Sequence, residues 1–281
     1  MSLKFWRYHA LGNDYLVMDR EALLGHDFRA ASVRICDRHF GVGSDGILVN
    51  EGSSGRDLFS LRIVNPDGSE AEKSGNGLRI FARFLFDQGL VTHAPFRVIT
   101  AGGEVVCRVM PTGSSVQVDM GGVSFLSSEI PVCGDRREVI REELEIGGQR
   151  ILFCAATVGN PHCVVLDAEG IPEEAKRLGP LLEVHPLFPN RTNVQFLRVV
   201  DRATIKIEIW ERGAGYTLAS GSSASASAAV AHRLGLVDEA VRVVMPGGAL
   251  DIEISPEYKI RITGPVTRVA EGVIDPECLE S

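Results

Sequence analysis

Ser74 and Ser220 stand in matched surroundings and are the first side chains in this chain whose placement suggests chemistry. Ser74 follows the polar turn Asn65-Pro66-Asp67-Gly68-Ser69-Glu70. It precedes Gly75-Asn76-Gly77, after which apolar residues at 78, 81, 82, 85 and 86 lead to Gly89. That pattern predicts a loop, an N-cap and a helix with one buried side. The stretch from Glu211-Arg212-Gly213-Ala214-Gly215 through Ser220-Gly221-Ser222 to Gly235 repeats the plan. Asn65 stands 9 residues before Ser74 and Glu211 stands 9 before Ser220, while Gly89 and Gly235 each follow their serine by 15.

A helix start exposes backbone N–H groups, and the small residues here leave them room to hold an anion such as a carboxylate. Two such starts facing one carboxylate would place Ser74 and Ser220 on opposite faces of the adjacent carbon. A proton taken from one face and returned to the other inverts a stereocentre without a cofactor. Each residue also has a plainer reading. Serine is a preferred N-cap, His162 fits a structural histidine, and Glu211-Arg212 fits a solvated charge pair at a strand end. The matched spacing favours the site reading.

Positioning these residues requires two similar domains, and the sequence supplies a further echo. Leu11-Gly12-Asn13-Asp14 near the start resembles Val158-Gly159-Asn160-Pro161-His162 at nearly the same offset. An internal duplication of this length predicts two domains facing each other, over 1–121 and 122–264, with the Gly-rich segment 121–135 as the boundary. In the first half the patterns predict a hairpin over 3–19 with its turn at 12–14. A helix over 30–39 follows, burying Val33, Ile35, Cys36 and Phe40, then strands at 47–49 and 58–64 and a meander over 96–120. The second half replays this with strands at 151–157 and 163–167 and a helix near 173–182. Strands at 193–199 and 204–210 lead to the second motif, and strands at 241–245, 250–254 and 258–263 follow it. The reading is α+β, each domain a strongly curved antiparallel sheet around one central helix. The Ala/Ser run 219–229 fits a central helix with small faces that strands approach closely.

Composition agrees with a soluble globular protein of two cores: 281 residues, 44% hydrophobic and 23% charged. A formal net charge of -8 argues against a nucleic-acid or anionic-membrane partner. No apolar run reaches membrane-spanning length and no signal-peptide core opens the chain, so the expected location is the cytoplasm. The six cysteines show no metal-binding or disulfide spacing and read mostly as small buried hydrophobes.

Taken together and in order, seven pieces resemble the diaminopimelate epimerase family over almost the full length. They are His9-Ala10-Leu11-Gly12-Asn13-Asp14; Asp37-Arg38 with Gly41-Val42-Gly43-Ser44-Asp45-Gly46; Asn65-Pro66-Asp67-Gly68-Ser69-Glu70; Gly75-Asn76-Gly77-Leu78-Arg79; Gly159-Asn160-Pro161-His162; Phe188-Pro189-Asn190-Arg191-Thr192-Asn193-Val194; and Glu211-Arg212-Gly213-Ala214-Gly215. The resemblance implies a two-domain pseudo-symmetric fold whose last strand, within 265–281, returns to the first domain. It implies interconversion of LL- and meso-diaminopimelate by two-base proton transfer, with no cofactor and no metal. The implied partner is a small amino-acid substrate, with no nucleic acid and no membrane, and a homodimer is compatible with it. Carried over residue by residue, Asn13, Asn65, Asn160, Asn193, Glu211 and Arg212 would recognise the substrate. Gly75, Asn76, Gly221 and Ser222 would hold the reacting carboxylate, and His162 and Glu211 would flank the acid/base pair.

That pair is two cysteines in the family and Ser74 with Ser220 here. A helix start turns a thiol into a thiolate, whereas a hydroxyl needs a separate base. Tyr216, Ser223, Ile80 and Ser225 also depart from the family pattern. These departures leave open a binding protein without turnover, or an isomerase of the same fold acting on another amino acid or a small dicarboxylate.

Overall fold

The computed structural model describes residues 3–166, 168 and 170–279. Asp167, the last residue of the strand expected over 163–167, lies outside them, as do residues 1, 2, 280 and 281. The chain forms two compact units, Met1–Val118 with Thr263–Ser281 and Asp119–Ile262.

The first unit opens with the expected hairpin, β1 (Leu3–Ala10) and β2 (Asn13–Asp19). Its tight turn is Leu11-Gly12, both at positive φ, 57° and 90°. A two-residue hairpin needs that backbone sense, so Asn13 and Asp14 already belong to the second strand. Helix α1 (Phe28–Cys36) is capped by the Asp27 carboxylate and buries Ala31, Ser32, Ile35 and Cys36. The sequence pattern places Val33 and Phe40 inside as well, yet they are 45% and 74% exposed. At about 100° per residue Val33 falls on the far side from Ile35. Phe40 lies past the helix end, where the Asp37 carboxylate accepts from the His39 and Phe40 N–H groups and turns the chain.

There follow β3 (Ile47–Ser53), β4 (Leu58–Val64), the short β5 (Glu70–Ala71), helix α2 (Gly75–Asp87), β6 (Phe96–Thr100), β7 (Gly103–Val109) and β8 (Ser115–Gly122). The second unit holds β9 (Glu142–Ile146), β10 (Gln149–Thr157), β11 (Pro161–Val165), α3 (Pro172–Glu183), β12 (Asn193–Asp201), β13 (Thr204–Glu211), β14 (Gly215–Thr217), α4 (Gly221–Arg233), β15 (Ala240–Met245), β16 (Gly248–Ile254) and β17 (Lys259–Pro265). The last strand, β18 (Thr267–Ile274), pairs with β1 in the first unit.

The antiparallel expectation needs correction in one respect, because each unit carries a mixed sheet. The pairs β2/β3, β4/β6, β11/β12 and β13/β15 are parallel. Each spans one of the four α-helices of the described residues, as parallel neighbours require a crossover connection. The meander over β6, β7 and β8 is antiparallel as read. Segment 121–135 packs inside the second unit, with Phe125, Ile130 and Val132 buried. Strand β9, with the alternation Glu-Glu-Leu-Glu-Ile and no counterpart among the expected strands, pairs with β10 where β18 pairs with β1 in the other unit.

Each unit wraps strands around its central helix, α2 or α4. In α2 the side chains of Leu78, Ile80, Phe81, Phe84 and Leu85 fill the interior, with the Phe84 ring 4.9 Å from Trp6. In α4 every residue from Ser223 to Ala231 is buried, and all but Val230 are Ala or Ser. Bulk comes from the surrounding strands instead, and small faces let them approach. All six cysteines carry free thiols, four of them buried. Among the described residues no helix is long and apolar enough to cross a membrane.

Helix α3 lies against β13 through Gly179, where a Cβ would stand 2.5 Å from Trp210 Cγ and 2.6 Å from its Cβ. The indole is pinned in turn, its Nε1–H donating to Glu183 at 2.7 Å. Gly179→Ala gains up to about 1 kcal/mol of helix propensity but overpacks a fixed ring, which costs ~1–3 kcal/mol. Chemical denaturation is expected to show a net loss of stability, and a gain would mean that the contact is loose.

Candidate active site

The two central helices begin alike. Ser74 sits at φ -140°, ψ 118° and its Oγ accepts the Gly77 N–H at 3.0 Å. Ser220 sits at φ -144°, ψ 126° and accepts the Ser223 N–H at 3.4 Å. Both helices run 13 residues, and Gly89 and Gly235 follow at the same φ of 71°. Each serine is therefore an N-cap, a role worth ~1 kcal/mol, and its oxygen already faces the N–H groups of the first turn. Gly75, Asn76, Gly221 and Ser222 form those first turns, with Ser222 Oγ 3.4 Å from Ser220 Oγ.

In the first unit the fold joins Asn13 to Asn76, which lie 63 residues apart, by a 3.0 Å bond from Asn76 Nδ2 to Asn13 Oδ1. Asn13 Nδ2 donates onward to Asp45 Oδ2 at 2.9 Å, and Arg79 Nη2 donates to Asn76 Oδ1 at 2.7 Å. Arg79 is fully buried. Asn65 is held by its own turn, its Nδ2 donating to Ser69 Oγ at 2.9 Å.

In the second unit Asn160, His162, Asn193, Glu211, Arg212 and Ser220 form one connected group. His162 pairs with Asn193 in the parallel register of β11 and β12. Asn193 Nδ2 donates to the Pro161 carbonyl at 2.9 Å, and its Oδ1 accepts the Arg212 N–H at 3.0 Å. The Arg212 guanidinium donates to the Asn190 carbonyl at 2.9 Å. Glu211, at the end of β13, takes a hydrogen bond from Ser220, while burial pushes its carboxyl above the ordinary value. Its raised affinity for a proton, beside Ser220, suits a base.

His162 is fully buried, with Nε2 2.9 Å from Asn160 Oδ1. The oxygen accepts, so Nε2 carries the proton and Nδ1 is bare, meeting no protein partner. Burial drives its pKa down to about 3; the neighbouring Gln195 amide opposes this, and the Arg212 charge adds to it. The ring is neutral at physiological pH.

One organising residue carries no sequence signal. Glu183, 5% exposed at the end of α3, accepts from Arg191, from Trp210 Nε1 and from the Gly213 N–H at 2.8 Å. It anchors the turn that presents Glu211 and Arg212, yet nothing in its local pattern separates it from a surface helix residue.

This architecture is shared by solved structures. A hydroxyproline epimerase of Agrobacterium vitis superposes with a TM-score of 0.68 at 17% identity, covering 98% of this chain and 93% of that one. A phenazine biosynthesis protein of Bacillus anthracis gives 0.69 at 15%, covering 98% and 99%. At these identities the likeness is one of fold. Sequence narrows it further: the family model described as diaminopimelate epimerase matches residues 5–126 and 154–269. Diaminopimelate epimerase 2 of Nostoc sp. (strain PCC 7120) is 56% identical over 275 residues, covering 98% of this chain and 96% of the relative. Diaminopimelate epimerase of Stutzerimonas stutzeri is 41% identical, covering 98% and 99%. The chain belongs to the diaminopimelate epimerase family.

The buried histidine gives a pH signature. Its folded pKa of about 3 lies below the ordinary 6.5, so on acidification the unfolded chain takes up the proton first. Stability is full above pH 6.5 and is lost as the pH falls towards 3, by ~4 kcal/mol at that limit. Urea unfolding of the wild type is expected to show this excess loss over His162→Gln; parallel pH profiles for the two proteins would mean the imidazole titrates normally.

Proposed function

We propose that this protein is a cofactor-independent amino-acid epimerase acting on diaminopimelate, with Ser74 and Ser220 as its two acid/base positions. The observation that carries the reading is the duplicated helix start, one serine N-cap followed by glycine in each unit. Family membership and the names of the relatives support the substrate.

In this reading the first-turn N–H groups at Gly75-Asn76 and Gly221-Ser222 hold the carboxylate next to the reacting carbon. They stabilise the negative charge that develops on it when the α-proton leaves. Asn13, Asn65, Asn160, Asn193 and Arg212 recognise the rest of the substrate, the guanidinium matching a carboxylate. Ser220 takes the α-proton while passing its own to Glu211, and Ser74 supplies its hydroxyl proton to the opposite face; Ser74 then recovers a proton from solvent as Glu211 releases one to it, and the return reaction reverses the roles. His162, neutral, flanks the acid/base pair in the second unit.

A hydroxyl reaches its anion far less readily than a thiol. Turnover by the serine pair is therefore slow, and Ser74→Cys with Ser220→Cys is expected to raise it at least ~10-fold. The measurement is solvent deuterium incorporation at the α-carbon of diaminopimelate. Faster exchange by the serine form than by the double variant would refute the assignment of the pair; binding without exchange in either form would favour a protein that only binds the ligand.

A further inference from the structure

An asparagine amide can face either way, because its oxygen and nitrogen are nearly the same shape and differ only in accepting or donating. The first unit removes that freedom. A single hydrogen-bonded line runs from Arg79 Nη2 to Asn76 Oδ1, from Asn76 Nδ2 to Asn13 Oδ1, and from Asn13 Nδ2 to Asp45 Oδ2, at 2.7, 3.0 and 2.9 Å. A guanidinium has only donors, so Asn76 must turn its oxygen towards it. A carboxylate has only acceptors, so Asn13 must turn its nitrogen there. The two ends dictate the same sense along the line, and the middle bond then pairs a donor with an acceptor.

Both ends are themselves fixed. Asp45 Oδ2 also accepts the Asp14 N–H at 3.0 Å, its Oδ1 takes Arg38 Nη2 at 2.7 Å, and its own N–H donates to the Asp14 carbonyl at 2.9 Å. Asp14 is held by Arg7 and Arg38 at 2.6 and 2.7 Å. Arg79 lies wholly inside the unit and, among the described residues, has no carboxylate partner, its Nε and Nη1 meeting no protein acceptor. Keeping a guanidinium there is costly, and the bond to Asn76 is what that cation makes. At the matched place in α4 stands Ser225, which bonds the Gly221 carbonyl at 2.7 Å. The helix start itself therefore does not need an arginine at that turn.

We propose that Arg79 and Asp45 are positioning residues that fix which way the side-chain amides of Asn76 and Asn13 face, and so the donor–acceptor pattern the first unit offers its substrate. The inference rests on the site reading above. Asn13 keeps a second Nδ2–H and a second Oδ1 lone pair for the ligand, and their directions follow from the two charged ends.

Orientation and charge are separable at Asp45, whose side chain is 39% exposed. Asp45→Asn keeps one oxygen, able to accept from both Asn13 Nδ2 and the Asp14 N–H, while losing the charge. Asp45→Ala removes the acceptor altogether. Two readouts on the full chain decide: hydrogen-exchange protection of the Asn13 and Asn76 side-chain amides by NMR without ligand, and calorimetric affinity for meso-diaminopimelate. Asp45→Ala is expected to deprotect the Asn13 amide and weaken binding about tenfold, the worth of one misdirected hydrogen bond. Asp45→Asn is expected to stay close to wild type in both. Arg79→Met, of similar volume and apolar, tests the line from its other end and should deprotect Asn76. Equal losses in Asp45→Asn and Asp45→Ala would show that charge acts instead of orientation, and unaltered amides in Asp45→Ala and Arg79→Met would also overturn the proposal. Protection that follows the series in a protein that does not bind diaminopimelate would uphold the line and sink the substrate reading.

Discussion

A helix enclosed by strands cannot hand the N–H groups of its first turn to water, and both halves of this protein are built around such a helix. The cap must come from the chain itself, which places a serine in extended conformation at residues 74 and 220. What precedes the cap is fixed by the same need. Short strands β5 and β14 pair with β4 and β13 and bring the chain back over the end of the sheet to the start of the helix. Small residues at 75 and 221 keep that end uncluttered. A demand of backbone hydrogen bonding thus produces, twice, a concentrated set of donors beside a hydroxyl.

On this shared backbone the two units have diverged in charge. Where the first has Asn65, held within its turn, the second has Glu211, half-buried and bonded to the capping serine. Where the second has Ser225, the first has the buried guanidinium of Arg79. Neither difference disturbs the cap or the length of the helix, because those depend on the serine, the glycine and the backbone. Chemistry can vary at such a site while the fold stays as it is.

The polar groups near the two caps are held by different means. In the second unit Glu183 gathers three donors from the loop before β12, from β13 and from the 211–215 turn, so that one carboxylate sets the loop carrying Glu211 and Arg212. In the first, neutral amides are aligned between a cation and an anion. Charged groups suit this work: they cannot exchange donor for acceptor as an amide can, and of the two ends of the first unit's line Asp45 is partly exposed and desolvated only in part.

Much of this was legible in the chain. The serine spacing, the turn residues and the apolar periods gave both caps, the strands flanking them and the duplication, because capping and periodicity are local physics. On α1 the apolar pattern does not locate the buried face at Val33, which falls on the far side from Ile35, nor at Phe40, because where the helix stops depends on the Asp37 turn as much as on the pattern. Parallel pairing escaped a reading that saw only neighbouring strands, because a crossover brings together residues that no short window contains. The same holds for the polar partners. Asn13 with Asn76, His162 with Asn193, and Glu183 with Gly213 are each separated by many residues and joined only when the sheet closes. Which side chains cap, turn and fill follows from local pattern alone; which of the polar ones meet follows from the fold, because a hydrogen bond between distant residues is a property of the folded register.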